Sequence, residues 1–301
     1  MSNKIALCVG INKFKNYPGS NLQGCVNDAN DMSAVLQKLL GFQSSDITVL
    51  LDAKATKANI MSKLKAMVDG AKAGKYTYLV FSLSSHGTQI PDQDGDEPDR
   101  ADEAFCPHDL AQSGNQWDKN YIISDDELRN LFIQLPANVL LEVYLDTCHS
   151  GTGLKAIDML FDRTPRYLPP PSMEAFKQVD GKRSRGLARR MMEKGIVHHI
   201  LWAACRSDQT SADASIAGGW HGAFTYYFCK EMNACKNTMS RSQLLDKVRA
   251  DLVAGYYSQT PQLECEATKR QAPLWSKKPA KNVLEKKPAT KALVKKPAKK
   301  K

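Results

Sequence analysis

The sequence predicts an open α/β sandwich built on a largely parallel sheet. Three observations carry that expectation. Short apolar runs recur along the chain, too continuous to leave one face wet, as strands covered on both sides require. Patterns of helical period separate them, and strand–helix alternation marks this fold class. The 301 residues are 42% hydrophobic and 25% charged, the make-up of a globular chain long enough to build its own core.

Ile5–Val9 is the first run. Behind it, Asp28–Leu40 sets Met32, Val35, Leu36, Leu39 and Leu40 on one helical face and stops at Gly41. Ile47–Leu51 is the second strand, and Thr56 is placed to cap a helix carrying Ile60, Leu64, Met67 and Val68. Tyr76–Leu83 follows as the third strand. Ser124-x-x-Glu127 reads as a capping box that opens a helix through Leu128, Leu131 and Phe132. Val139–Leu145 and His199–Ala204 are the fourth and fifth strands, with further helical patterns near His221–Met232 and Ser240–Ala254.

Two segments break the alternation. Residues 155–195 pass through three consecutive prolines at 169–171 and end in a basic run, KRSRGLARR, which describes an exposed linker. Residues 276–301 repeat Lys-Lys-Pro-Ala at 277, 286 and 295, lack aromatics, and are expected to be a disordered tail. That tail holds eleven Lys and one Glu, which accounts for the entire formal charge of +10. The body, 1–275, has 31 basic and 31 acidic residues, so the net charge does not mark the whole protein as a nucleic-acid binder. The tail alone is the segment expected to contact polyanions. None of the eight cysteines is spaced as C-x-x-C, which removes support for zinc ribbons and thioredoxin-type motifs. No apolar stretch approaches a membrane span, and the start of the chain reads as a strand and not a signal peptide, so a cytoplasmic location is expected.

The chemistry gathers at two strand ends. The third strand runs into Ser84-Ser85-His86-Gly87, and the fourth into Asp146-Thr147-Cys148-His149-Ser150-Gly151. Ligands of parallel α/β sheets sit beyond the carboxyl ends of strands, so neighbouring third and fourth strands would bring a cysteine and a histidine to one crevice. Those two groups suffice for thiol catalysis, because imidazole can take the proton and the thiolate can attack. Either residue alone has a plainer explanation, a small core thiol or a turn histidine. Their pairing favours the chemical one. His149 adjoins the cysteine, but successive residues of an extended chain point apart, which favours His86 as the base.

Asp146-Thr-Cys-His-Ser-Gly resembles the nucleophile motif of the metacaspases and their prokaryotic relatives, the orthocaspases, and Ser84-Ser85-His86-Gly87 is similar to that family's Ser-Gly-His-Gly. VGINKF at 9–14, LQGCVNDA at 22–29, the acidic loop at 92–109, ISDDEL at 123–128, WAACRSDQ at 202–209, GAFT at 222–225 and QTPQ at 259–262 match in the same order. The resemblance implies a caspase-like three-layer sandwich with a mostly parallel, about six-stranded sheet over 1–275. The large-subunit part would be about 1–155, a processing linker about 155–195, and the small-subunit part about 196–275. It implies a monomeric cysteine endopeptidase acting after Arg or Lys in protein and peptide substrates, with a Cys148/His86 dyad and backbone oxyanion donors at Gly87 and Cys148. The primary pocket would be lined by Cys25, Asp28, Ser84 and Asp146. Carboxylates there suit a guanidinium, which supports the basic preference independently. Self-processing in the linker is implied too, at Lys177, Lys182, Arg183, Arg185, Arg189, Arg190 or Lys194. The alternative is a silent caspase-like scaffold recruited to polyanions by its tail.

Asp92, Asp94, Asp96 and Glu103 fall at positions 1, 3, 5 and 12 of a calcium loop, but Gly95 is at position 4 and Arg100 at position 9, so an EF-hand is rejected. The family's own calcium ligands would map to Asp102, Asp125 and Asp126. Its fourth position holds Lys155, a cation where a ligand is needed. No cofactor is expected to be required, and calcium dependence is expected to be weak or absent.

Overall fold

The computed structural model describes residues 3–91, 101–149, 163–179 and 199–275. Strands β1 (Lys4–Gly10), β2 (Ile47–Leu51) and β3 (Tyr78–Ser84) form at the first three apolar runs. Helix α1 (Cys25–Leu40) lies between β1 and β2 and ends at Gly41, whose φ of 68° is the left-handed turn that glycine adopts at least cost. Helix α2 (Lys57–Lys72) is capped by the Thr56 side chain, which accepts from the Asn59 amide.

Beyond β3 the chain leaves the sheet. β4 (Gly87–Pro91) and β5 (Ala101–Phe105) pair antiparallel, a small hairpin of β6 (Gln112–Ser113) and β7 (Gln116–Trp117) follows, and β8 (Ile123–Ser124) joins β5. The Ser124/Glu127 capping box then opens α3 (Asp125–Phe132). The remaining strands are β9 (Leu140–Asp146), β10 (Thr164–Pro165), β11 (His199–Ala203), β12 (Ala212–Ile216), β13 (Gly219–Gly222) and β14 (Gln262–Glu264). Helices Met173–Val179, Ala223–Cys235 and Arg241–Ala254 fall among them.

The central sheet has the order β14-β11-β9-β3-β1-β2, parallel throughout except for the antiparallel edge strand β14. Side chains alternate between two cores, as a period of two demands. Leu7, Val9 and Phe81 pack with Ile60, Leu64 and Phe132 on one face. Ala6, Cys8 and Val80 pack with Met32, Val35 and Phe228 on the other. Glu142 interrupts the apolar run of β9 and is fully buried. It holds Arg241 at 2.9 Å and accepts from Tyr78 at 2.8 Å and Trp202 at 3.0 Å, so its charge is compensated and helix Arg241–Ala254 is tied to the sheet.

Two features place the site. From β1 the chain passes to β2 on one side and returns to β3 on the other, which makes a switch point at their carboxyl ends. β3 and β9 are paired with Ser84 opposite Asp146, so both polar strand ends emerge side by side.

Candidate active site

His86 stands just past β3, almost wholly buried and packed against Phe14 with ring centroids 5.1 Å apart. Its Nε2 lies 2.8 Å from the Ser20 carbonyl oxygen. A carbonyl only accepts, so Nε2 carries the proton and Nδ1 keeps its lone pair. Nδ1 is buried and forms no hydrogen bond within the described residues. Burial lowers the imidazole pKa to about 4, against the opposing pull of the Ser20 and Arg166 backbones. The ring is a neutral base at physiological pH.

This has a consequence for stability. An unfolded histidine titrates near 6.5, so between pH 6.5 and 4 the unfolded chain binds the extra proton and native His86 does not. Stability from this group is present above pH 6.5 and is lost as pH falls toward 4. His86→Gln should remove that loss: between pH 7 and 4.5, urea unfolding of wild type should lose about 2–3 kcal/mol more than the variant. Parallel pH profiles would rule out a buried neutral imidazole.

Cys148 is fully buried at the end of β9. Its Sγ accepts from the Ser211 amide and lies 3.7 Å from both the Ser211 carbonyl and Cys205 Sγ. These contacts, and none with His86, hold the thiol in the described state. His149 is occupied elsewhere: Nδ1 is 3.2 Å from the Thr88 carbonyl, Nε2 is 3.3 Å from Thr147 Oγ1, and its ring meets Phe105.

Cys25 and Asp28 on the first turn of α1, Ser84 at the end of β3 and Asp146 at the end of β9 are all buried. Between the two carboxylates lies the guanidinium of Arg166, fully buried. Its Nη2 is 2.7 Å from Asp28 and 2.9 Å from Asp213, and Nη1 is 3.3 Å from Asp146. Each carboxylate is also fixed by other donors. Asp28 accepts from the Gly222 amide, Asp146 from Ser211 and Thr225, and Asp213 from the Gln23 and Gly24 amides. Burial opposes charge on Arg166, but the surrounding carboxyl groups of Asp146, Asp28 and Asp213 outweigh it and hold the guanidinium ionised. Burial pushes the Asp28 carboxyl up to about 7 despite that neighbour. Gly222 is needed in the wall, because a Cβ there would stand 2.3 Å from Asp146 and 2.4 Å from Arg166.

The backbone of Arg166 is held as closely as its side chain. Its carbonyl oxygen accepts from the Gly87 amide at 2.9 Å and the Cys148 amide at 3.2 Å, the two donors named from the sequence. Its own amide donates to the Ser211 carbonyl at 3.0 Å, and β10 just before it pairs antiparallel with β12. A side chain at position 87 is excluded by this approach of chains, since a Cβ on Gly87 would lie 1.9 Å from the Cys148 carbonyl oxygen.

Asp213 and Arg166 were not among the sequence-predicted site residues. Asp213 had a signal, an acid on a strand just after the WAACRSDQ segment. Arg166 had none, being one of many basic residues near the prolines. Of the linker basics singled out for self-cleavage, Lys177 lies in helix Met173–Val179, and Lys182, Arg183, Arg185, Arg189, Arg190 and Lys194 are outside the described residues.

Asp102 on β5 and Asp125 and Asp126 on α3 bring carboxylate oxygens within 4.8 Å of one another. Burial and the neighbouring charges of Glu103, Asp102 and Asp126 push the Asp125 carboxyl well up, so a cation would relieve the group. Hard oxygens suit calcium, and the three carboxylates carry six of the six to eight oxygens it takes, but Asp126 already pairs with Arg129 at 2.7 Å. Lys155, at the remaining family position, is outside the described residues.

Residues 3–273 match a family model described as the caspase domain. Metacaspase-1 of Pyricularia oryzae is 31% identical over 296 residues, covering 86% of this chain and 71% of the relative. The chain belongs to the metacaspase family. Metacaspase-1 of Cryptococcus neoformans is 33% identical over 296 residues, covering 86% of this chain but 62% of the relative, so this metacaspase chain spans about two-thirds of the length of such relatives. Among solved structures, protein GSU0716 from Geobacter sulfurreducens aligns with a TM-score of 0.62 at 25% identity, over 90% of this chain and 97% of that one. Caspase-1 from Spodoptera frugiperda aligns with a TM-score of 0.53 at 13% identity, over 87% and 86% of the two chains, a likeness of fold alone. The six-stranded metacaspase sandwich is therefore the expected one. Among the described residues of this metacaspase, no helix is long and apolar enough to cross a membrane.

Proposed function

We propose that the chain is a cysteine endopeptidase cutting after Arg or Lys, with Cys148 as nucleophile and His86 as base. One observation carries this reading. A single residue, Arg166, has its guanidinium among Asp28, Asp146 and Asp213 while its carbonyl accepts from the Gly87 and Cys148 amides. A substrate arginine seated likewise presents its carbonyl carbon beside the thiol, with the developing oxyanion facing two preorganised N–H donors.

The steps follow from the donors and acceptors. His86 Nδ1 takes the thiol proton and Sγ attacks the carbonyl carbon. The tetrahedral oxyanion rests on the two amides, the C–N bond breaks, and the same proton passes to the leaving amine. Water then opens the thioester, giving its proton to His86, which returns it to Sγ. The Nε2–H bond to Ser20 holds the neutral ring in the tautomer whose Nδ1 is free to accept each proton. Asp102, Asp125 and Asp126 are the residues that would hold a calcium ion, which would neutralise their repulsion and brace β5 against α3.

The test is a panel of fluorogenic peptides with Arg, Lys, Asp or a neutral residue at the cleaved bond, assayed with calcium and with a chelator. Arg and Lys peptides should be cut and Asp peptides refused, because three carboxylates repel a fourth. Activity should persist in chelator. Equal rates across the panel would overturn the specificity, and complete loss in chelator would overturn calcium independence.

A further inference from the structure

We propose that residues 163–168 are the chain's own first substrate: Arg166 fills the primary pocket, Arg163 fills a second basic subsite on Tyr257, and the bond cut is Arg166–Tyr167. This rests on the peptidase reading above and adds which bond, which second subsite and what keeps the site closed.

The segment lies in the cleft as a substrate would. Thr164 and Pro165 pair antiparallel with Ala212 and Asp213, adding a strand to β12 as bound peptides commonly add to a sheet edge. The Arg166 carbonyl is on the oxyanion donors. Past the scissile bond, Tyr167 bridges to Gly87 and the Leu168 amide donates to the Gly87 carbonyl at 2.9 Å. Six consecutive residues are thus held on both sides of one peptide bond.

The second anchor is three residues upstream. The Arg163 guanidinium lies 3.7 Å from the centre of the Tyr257 ring. Its Nη1 and Nη2 each donate at 2.7 Å, to the Tyr256 and Gly255 carbonyls. The Tyr257 π-face and the two carbonyls beside it are groups that attract a cation. The cleft therefore recognises two basic residues separated by two others, Arg-Thr-Pro-Arg in this chain.

Occupancy also closes the site. Arg166 is completely buried, so no other arginine can enter while it stays. The thiol is turned to Ser211 and Cys205 and must swing toward the carbonyl to react. Once it does, the steps above apply to this bond: the acyl group of Arg166 passes to Sγ, the proton from His86 leaves on the Tyr167 nitrogen, and water releases the Arg166 carboxyl. The cut turns a strap held at both ends into an arm with one free end, which can withdraw and open the pocket. Lys177 is a poorer scissile residue, since its helix would have to unwind into an extended strand.

The full chain, purified and incubated, should yield a new N-terminus at Tyr167. Arg166→Lys should be cut at the same bond, and Arg166→Gln should stay whole there yet cleave Arg peptides without a lag. Because Arg166→Gln leaves buried carboxylates without their cation, Arg166→Lys is the variant that keeps the pocket filled. Wild type should also cut a fluorogenic Arg-Thr-Pro-Arg peptide about tenfold more efficiently than Ala-Thr-Pro-Arg, and Tyr257→Ala should bring that ratio close to one. A chain active on Arg peptides that cuts itself only within 177–195, or not at all, overturns the inference and leaves the peptidase reading standing. Equal rates on the two tetrapeptides overturn the second subsite. Inactivity of wild type and Arg166→Gln alike on every basic peptide removes both readings.

Discussion

Cys148→Ala will abolish turnover of Arg peptides while leaving the circular dichroism spectrum of the fold in place. His86→Ala will do nearly the same, each change lowering kcat by about four orders of magnitude or more, because groups that act as one unit fail together. His149→Ala is the control. Its ring nitrogens are engaged by Thr88 and Thr147, not by Cys148, and the variant should retain measurable activity. Full activity in Cys148→Ala or His86→Ala would eliminate the dyad. Loss in His149→Ala equal to that in His86→Ala would transfer the base role.

Substitution of Asp28, Asp146 or Asp213 by Asn will cut kcat/KM for Arg peptides at least about a hundredfold, the scale expected when a desolvated charge pair loses one member. Asn preserves shape, and the decisive measurement is the ratio of Arg to neutral peptides, which a simple loss of folding would not change. Asp213 should weigh as much as Asp28, since both approach the same guanidinium nitrogen within 2.9 Å. An unaltered ratio in all three variants would remove the pocket. The same substitutions also loosen Arg166, so unprocessed Asn variants should open more readily even as they bind Arg substrates less well.

Local signals carried most of the frame. Apolar runs located β1, β2, β3, β9 and β11, and the caps at Thr56, Ser124 and Gly41 appear where short-range hydrogen bonding requires them. Glu142 was invisible as a structural residue, because its partners Tyr78, Trp202 and Arg241 are 60 to 99 positions away along the chain. Asp213 carried only a weak local signal, because it reaches the pocket through the β12–β13 ribbon folding against the first turn of α1, 189 positions away at Gly24.

The sequence by itself determined the α/β alternation and the two polar strand ends, since periodicity and local motifs encode those within a few residues, and its resemblance to the family pointed to Cys148, His86, Asp28 and Asp146 as the residues to examine. Only the tertiary structure decided which way Cys148 Sγ turns, which tautomer His86 holds, and which of the chain's many basic residues enters the acidic pocket. Selecting Arg166 depends on a carbonyl, a guanidinium and two strands meeting at once from segments up to 138 residues apart. No local pattern records such a coincidence, because burial and pairing across the fold, not the identity of an arginine, distinguish it from its neighbours.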